Sequence, residues 1–210
     1  MKGLMQDWPL LVHTFIDHAS LHHSEREIVT RKVEGDIHRT NYLEIHSRAR
    51  KFSKALIKLG VKKSDVIGTL AWNTHRHLET WYGITGVGAI YHTLNPRLFL
   101  EQLEYIINHA DNKYIIADIT FVKILEGIES KLSNVKGFIF LTDSENMPET
   151  NLKNIFCYEE MINLEDDDYE WLKVEETDAC GLCYTSGTTG NPKGVVYSHK
   201  SNVLHTLVAN

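Results

Sequence analysis

The chain has 210 residues, 42% hydrophobic and 24% charged, which is enough for one substantial core and ordinary for a soluble globular protein. Its 22 Lys and Arg against 28 Asp and Glu leave a net charge of -6, the wrong sign for nonspecific nucleic-acid binding, although phosphate binding by backbone amides needs no net charge. No apolar run approaches the roughly 20 residues that span a bilayer, Met1 to Pro9 lacks a secretory pattern, and 3 Cys imply no disulfide framework, so a cytoplasmic protein with reduced thiols is expected.

The first segment, Leu10 to Leu21, has helical apolar spacing at Leu11, Phe15, Ile16 and Ala19. Two extended pieces follow, near Glu27–Arg31 and Asp36–Thr40. Asn41 with Glu44 three residues on makes a capping-box-like start to a helix. Tyr42, Ile45, Ala49, Phe52, Leu56 and Leu59 carry that helix to Gly60, which stands where a left-handed cap belongs. Beyond Gly60 the pattern alternates. Strands are expected at Val66–Leu70, Ala89–Thr93, Lys113–Ala117 and Gly137–Leu141, and helices at Thr74–Gly86, Phe99–Ala110 and Phe121–Leu132. Short buried strands alternating with amphipathic helices predict an α/β fold, a mostly parallel sheet flanked by helices.

Residues 142–154 are polar and read as a loop, a candidate break between subdomains. A short helix around Tyr158–Ile162 precedes the run Glu165-Asp166-Asp167-Asp168. Consecutive carboxylates repel and lack ligand spacing, so a solvated loop is expected there rather than a metal site.

The chemistry concentrates in Tyr184-Thr185-Ser186-Gly187-Thr188-Thr189-Gly190-Asn191-Pro192-Lys193-Gly194, between the apolar segments Ala179–Tyr184 and Val195–Tyr197. Two strands joined by this loop, with a helix from His199 to Asn210 after them, are expected. Gly187, Gly190 and Gly194 let backbone approach a ligand, and successive amides in such a loop form an anion-binding nest. Thr185, Ser186, Thr188 and Thr189 add hydroxyls, Lys193 adds a mobile positive charge, and Pro192 restricts the loop before it. The common mononucleotide loop requires two glycines separated by four residues and then Lys-Ser or Lys-Thr. Here Pro192 stands five positions after Gly187 and Gly194 follows Lys193, so a kinase or GTPase reading fails on spacing.

The unbroken stretch Tyr184 to Gly194 resembles the signature of the adenylate-forming superfamily, which includes acyl-CoA synthetases, luciferases and peptide-synthetase adenylation domains. Thr40–Gly60, Trp72-Asn73, Gly88-Ala89 and Leu94-Asn95-Pro96-Arg97-Leu98 look like that family in the right order. Three segments, His92–Arg97, Tyr105–Ala110 and Val196–His199, look most like bacterial medium- and long-chain fatty-acyl-CoA synthetases. The resemblance implies ATP-dependent activation of a fatty acid through an acyl-adenylate, followed by transfer to coenzyme A. By the same match, Thr185, Ser186, Gly187, Thr188, Thr189, Gly190 and Lys193 would hold the ATP phosphates. Lys193 would be the catalytic cation and Thr185 the loop's ligand to magnesium. It also implies a partial amino-terminal domain of an acyl-CoA synthetase-like fold, with a homodimer as a candidate assembly.

The family's later motifs for magnesium, ribose and the mobile carboxy-terminal domain are absent from these residues. The 210-residue chain alone is therefore expected to have no ligase activity and to bind ATP weakly. The alternatives are another adenylate former, acting on an aryl or amino acid, or a truncated non-catalytic remnant that serves as an interaction module.

Smaller features have blander expectations. Cys180-Gly181-Leu182-Cys183 reads as buried structural cysteines on a strand, and Gly86-Val87-Gly88 as a helix end feeding a strand. The 12 His, among them His22-His23, His75 and His77, are expected mostly at the surface, with His199 either near the active site or in packing. Trp72, Trp81, Tyr82 and Tyr91 are expected in the core.

Overall fold

A computed structural model of the chain describes residues 1, 3–5, 8–185 and 191–209. Helix α1 (His13–His22) leads into an antiparallel hairpin of β1 (Glu27–Arg31) and β2 (Ile37–Asn41). Helix α2 (Tyr42–Lys58) starts on Asn41, whose side chain accepts the Glu44 N–H at 2.9 Å. The reciprocal bond is not made. The Glu44 carboxylate accepts from the Thr40 hydroxyl at 2.8 Å instead, so the cap is half of the box expected from the spacing. Gly60 ends the turn at φ 82, a backbone region that favours glycine.

The remaining elements are β3 (Val66–Leu70), α3 (His75–Gly86), β4 (Ile90–Thr93), α4 (Leu100–His109), β5 (Asn112–Ala117), α5 (Val122–Ile128), β6 (Phe138–Phe140), β7 (Ile155–Cys157), α6 (Tyr158–Asn163), β8 (Ala179–Thr185), β9 (Lys193–Ser198) and α7 (His199–Ala209). The strands β3 to β9 form one sheet in the order β7-β6-β5-β3-β4-β8-β9. Every neighbouring pair is parallel except β8 and β9. Strand β7 starts directly after the polar segment 142–154 and is not among the expected strands. Its pairing with β6 makes the polar segment 142–154 the connection between two neighbouring strands.

Alternation along the strands sorts side chains onto two faces. Ile67, Tyr91, Ile116, Ile139 and Leu141 meet Phe52, Leu56, Ile84, Tyr158 and Ile162 from α2, α3 and α6. Leu70, Leu94, Ile115, Ala117, Phe138 and Phe140 meet Leu103, Ile106, Ile107, Leu125 and Ile128 from α4 and α5. After β3 the chain turns to α3 on the first face, and after β4 it turns to α4 on the second. Open α/β sheets receive ligands at the carboxyl ends of their strands, where such connections diverge. Thr185 closes β8 at that edge.

Several expectations require correction. Trp72 and Trp81 are 48% and 38% exposed: Trp72 follows the carboxyl end of β3, and Trp81 lies midway along α3, where its ring borders an open cavity. His13, His75, His92 and His199 are buried and His38, His46 and His77 half-buried, so the surface assignment for the histidines fails for more than half of them. Cys180 is buried, but Cys183 is only half-buried. The acidic run is not simply solvated. Glu165 is buried beside Lys58 at 2.6 Å, Asp166 pairs with Lys54 at 2.5 Å, and Asp167 accepts from the Ser47 hydroxyl at 2.7 Å, tying the run to α2.

Candidate active site

The β8–β9 hairpin carries the candidate site. Its antiparallel register sets Thr185 opposite Lys193 and Tyr184 opposite Gly194. Directly opposed residues project to the same face, so the Thr185 hydroxyl and the Lys193 ammonium leave the mouth of the hairpin together, both exposed. Ser186, Gly187, Thr188, Thr189 and Gly190 lie outside the described residues.

Tyr184 occupies the other face and anchors the hairpin. Its hydroxyl shares a 2.6 Å hydrogen bond with His109 Nδ1 at the end of α4. Its ring lies 5.3 Å from that of His92 and edge-on to His109 at 5.9 Å. A methyl group on Gly194 would stand 3.1 Å from the Tyr184 ring and 3.2 Å from Leu182, so glycine lets the tyrosine lie flat across the strand pair.

Beneath Tyr184 the tautomer of His92 is dictated by its partner. Asn112 donates to the Ile107 carbonyl at 3.0 Å, so its oxygen faces His92 Nδ1 at 3.1 Å and that nitrogen carries the proton. Nε2 is buried without a partner. Burial pushes the His92 pKa down to about 4, against the opposing pull of Asn112, and keeps the ring neutral at pH 7.

On the first face a cavity of about 640 Å³ opens beside the hairpin, walled by Trp81, Tyr91, Thr93, Cys183, Tyr197 and His205. Trp81 stacks on Tyr91 at 5.5 Å, and the Tyr91 hydroxyl shares a hydrogen bond with His77. Cys183 contacts Thr93 at 3.2 Å two residues before Thr185. The cavity therefore reaches the strand that ends at Thr185.

His199 does not join this site. It is buried against α1, where its Nδ1 accepts the Val12 N–H at 3.3 Å and its ring meets His13 edge-on at 6.4 Å. A second polar centre escaped the sequence reading. Arg48 donates to Glu79 and Glu159, Arg76 donates to Glu159 and Glu34, and Tyr158 donates to Glu79. These partners lie 31 to 111 positions apart, so no local pattern announces them. The network staples the β1–β2 hairpin, α2, α3 and α6 behind the sheet.

Comparison with known proteins identifies the family. The model of the AMP-binding enzyme family matches residues 16–210. The chain is 46% identical over 210 residues to 3-methylmercaptopropionyl-CoA ligase of Ruegeria lacuscaerulensis, covering 100% of the chain and 39% of that protein. It is 43% identical over 207 residues to the medium-chain-fatty-acid–CoA ligase of Ectopseudomonas oleovorans, covering 99% and 38%. The chain thus spans about two fifths of the length of these curated relatives. Its fold is that of the anthranilate CoA ligase AuaEII, solved with anthranoyl-AMP, at a TM-score of 0.83 and 23% identity, over 96% of this chain and 37% of that one. Among the described residues no helix is long and apolar enough to cross a membrane. The chain belongs to the AMP-binding family of adenylate-forming enzymes.

Proposed function

We propose that this chain supplies the ATP-phosphate loop of an acid–CoA ligase that activates a fatty acid. The observation that carries the proposal is the pairing of Thr185 with Lys193 at an open strand end beside an apolar-walled cavity. In the first half-reaction a carboxylate oxygen of the acid attacks the α-phosphorus of ATP. An acyl–phosphate bond forms, the bridge to the β-phosphate breaks, and pyrophosphate leaves. In the second, the coenzyme A thiol loses its proton and attacks the acyl carbon, and AMP leaves.

Negative charge gathers on the phosphates during the first step, and preorganised donors at the loop stabilise it. The Lys193 ammonium, on the rim of the hairpin, offsets part of that charge. Thr185 would ligate the nucleotide's magnesium, which shields phosphate charge when bound. The hydroxyl is a hard oxygen donor and suits that ion. Thr185→Ala that leaves the magnesium dependence of ATP binding unchanged removes this assignment. The cavity beside Cys183 would receive the apolar part of the acid.

A second reading, a short thioether acid as substrate, is favoured by the 46% identity to the methylmercaptopropionyl-CoA ligase. One experiment separates the two. This chain replaces the matching segment of the Ectopseudomonas oleovorans ligase, and acid-dependent ATP–pyrophosphate exchange is measured with octanoate, palmitate and 3-methylmercaptopropionate. Exchange with the fatty acids that is abolished by Lys193→Ala supports the proposal. Exchange with the thioether acid alone supports the second reading. No exchange with any acid from a folded chimera rejects both.

A further inference from the structure

We propose that His18 and His22 on α1 form a two-ligand site for a divalent transition-metal ion, of the class of Zn²⁺, Ni²⁺ and Cu²⁺. The residues are four apart on one helix, so their side chains stand over the same strip of surface. Both are exposed. Their ring centroids lie 4.5 Å apart with the planes tilted by 44°.

That separation matches what a shared ion requires. Imidazole nitrogens bind zinc at about 2.0–2.1 Å, which puts each centroid about 3.2 Å from the ion; two rings on adjacent positions then stand roughly 4.5 Å apart at a right angle and roughly 5.2 Å apart at the tetrahedral angle. His23, whose ring is 5.8 Å from that of His18, falls outside the range. Among the described residues no group of three or more potential ligands converges, so the pair alone carries the site and water completes the coordination.

The helix holding the pair is itself fixed. Ile16 is buried beneath it, and Asp17, next to His18, accepts from Trp171 Nε1 at 2.7 Å and pairs with His46 at 3.0 Å. Asp17 is thereby committed to packing rather than to the ion. The two imidazoles need no backbone rearrangement to chelate. Two neutral nitrogen donors suit borderline transition metals and not magnesium, which prefers oxygen and retains its water. The site is therefore independent of any magnesium at the nucleotide loop, and its test does not depend on the proposed function.

The test is calorimetric titration of the 210-residue chain with NiCl₂ and with ZnCl₂ in excess MgCl₂. One ion is expected per chain, nickel and zinc competing for the same site, with melting temperature rising as the ion is added. His18→Ala and His22→Ala, both exposed and free of core contacts, should each weaken binding at least ~10-fold, the lower bound seen for loss of even an outer-shell partner. His23→Ala and Cys183→Ser should leave it unchanged. Absence of saturable binding, or affinity that persists in the His18→Ala/His22→Ala double variant, overturns the proposal.

Discussion

The Tyr184 hydroxyl lies 2.6 Å from Nδ1 of His109, and this contact ties β8 to the end of α4 one residue before Thr185. Among the described residues β9 is the outer strand of the sheet and pairs only with β8, so the position of Lys193 depends on how firmly β8 is held. Tyr184→Phe removes the tie while keeping the ring. The net worth of such a bond is about 0.5–1.5 kcal/mol, and the lower half is expected at this exposed site. Amide hydrogen exchange at Thr185 and Lys193 should quicken in Tyr184→Phe. His109→Ala should add nothing further on top of it. Additive effects of the two changes would show that the contact is not coupled.

Gly194→Ala tests the same clamp from the opposite strand. A methyl group there meets the Tyr184 ring at 3.1 Å and Leu182 at 3.2 Å. The ring must shift, and the substitution should destabilise by about 1 kcal/mol, the lower end for inserting a methyl group into a packed contact. In the Tyr184→Ala background most of the penalty should disappear. A penalty that persists in full would point to Leu182 or to the backbone of β9 instead.

Glu79 is fully buried and accepts from Arg48 Nε at 2.8 Å and from the Tyr158 hydroxyl at 2.7 Å. Arg48→Met leaves that carboxylate without a counter-charge. Breaking one side of a buried pair costs about 3–5 kcal/mol. Urea denaturation at pH 7 should show a loss of that size, and restoring part of it with the double variant Arg48→Met/Glu79→Gln would confirm the cause. A loss below ~1 kcal/mol, the range of surface pairs, would contradict the burial argument.

Acid should unfold the chain through its histidines. Burial pushes His92, His77 and His199 down to about 4, and burial together with neighbouring positive groups pushes His75 to about 2. Each folded-state value lies below the unfolded one, so the folded state binds fewer protons. The stabilisation is fully present above the unfolded value of about 6.5 and is lost as pH falls from there toward 4. The urea midpoint should drop between pH 7 and pH 4 with a slope of more than one proton. A midpoint that stays level over that window would contradict the buried, neutral assignment.

Asp118 works in the opposite direction. Its carboxylate accepts the Trp72 N–H at 2.6 Å, yet burial still raises its pKa to about 6. The folded state holds this proton more tightly, so the group favours folding below its unfolded value of about 4 and loses that contribution as pH rises through 6. Asp118→Asn keeps the acceptor without the charge. It should raise stability at pH 7 by up to roughly 3 kcal/mol, taking each pKa unit as 1.36 kcal/mol, with no gain at pH 4. An equal gain at both pH values would rule out titration as the cause.

Legibility in the sequence followed locality. The Asn41 cap, the Gly60 turn and the alternation of strands with helices depend on neighbours within a few residues, and each appears at its expected place. Strand β7 is three residues long, Ile155–Cys157, too short for a period to show. The motif Tyr184 to Gly194, the proposed nucleotide loop, stands out in the sequence because its residues are contiguous. Its supports do not, since Tyr184 and His109 are 75 positions apart and the cavity draws on α3, β4, β8 and α7. The histidines were misjudged because burial of a polar ring depends on what tertiary structure sets beside it, as Asn112 is set beside His92.

The central claim is that the β8–β9 hairpin of this chain receives the phosphates of ATP. The most direct test is an NMR titration of the 210-residue chain with magnesium-ATP, following the amides of Thr185, Lys193 and Gly194. The account predicts shifts centred on these residues, saturating only at millimolar nucleotide, and abolished by Lys193→Ala while the melting temperature stays the same. Shifts that appear elsewhere, or that survive Lys193→Ala unchanged, would contradict it.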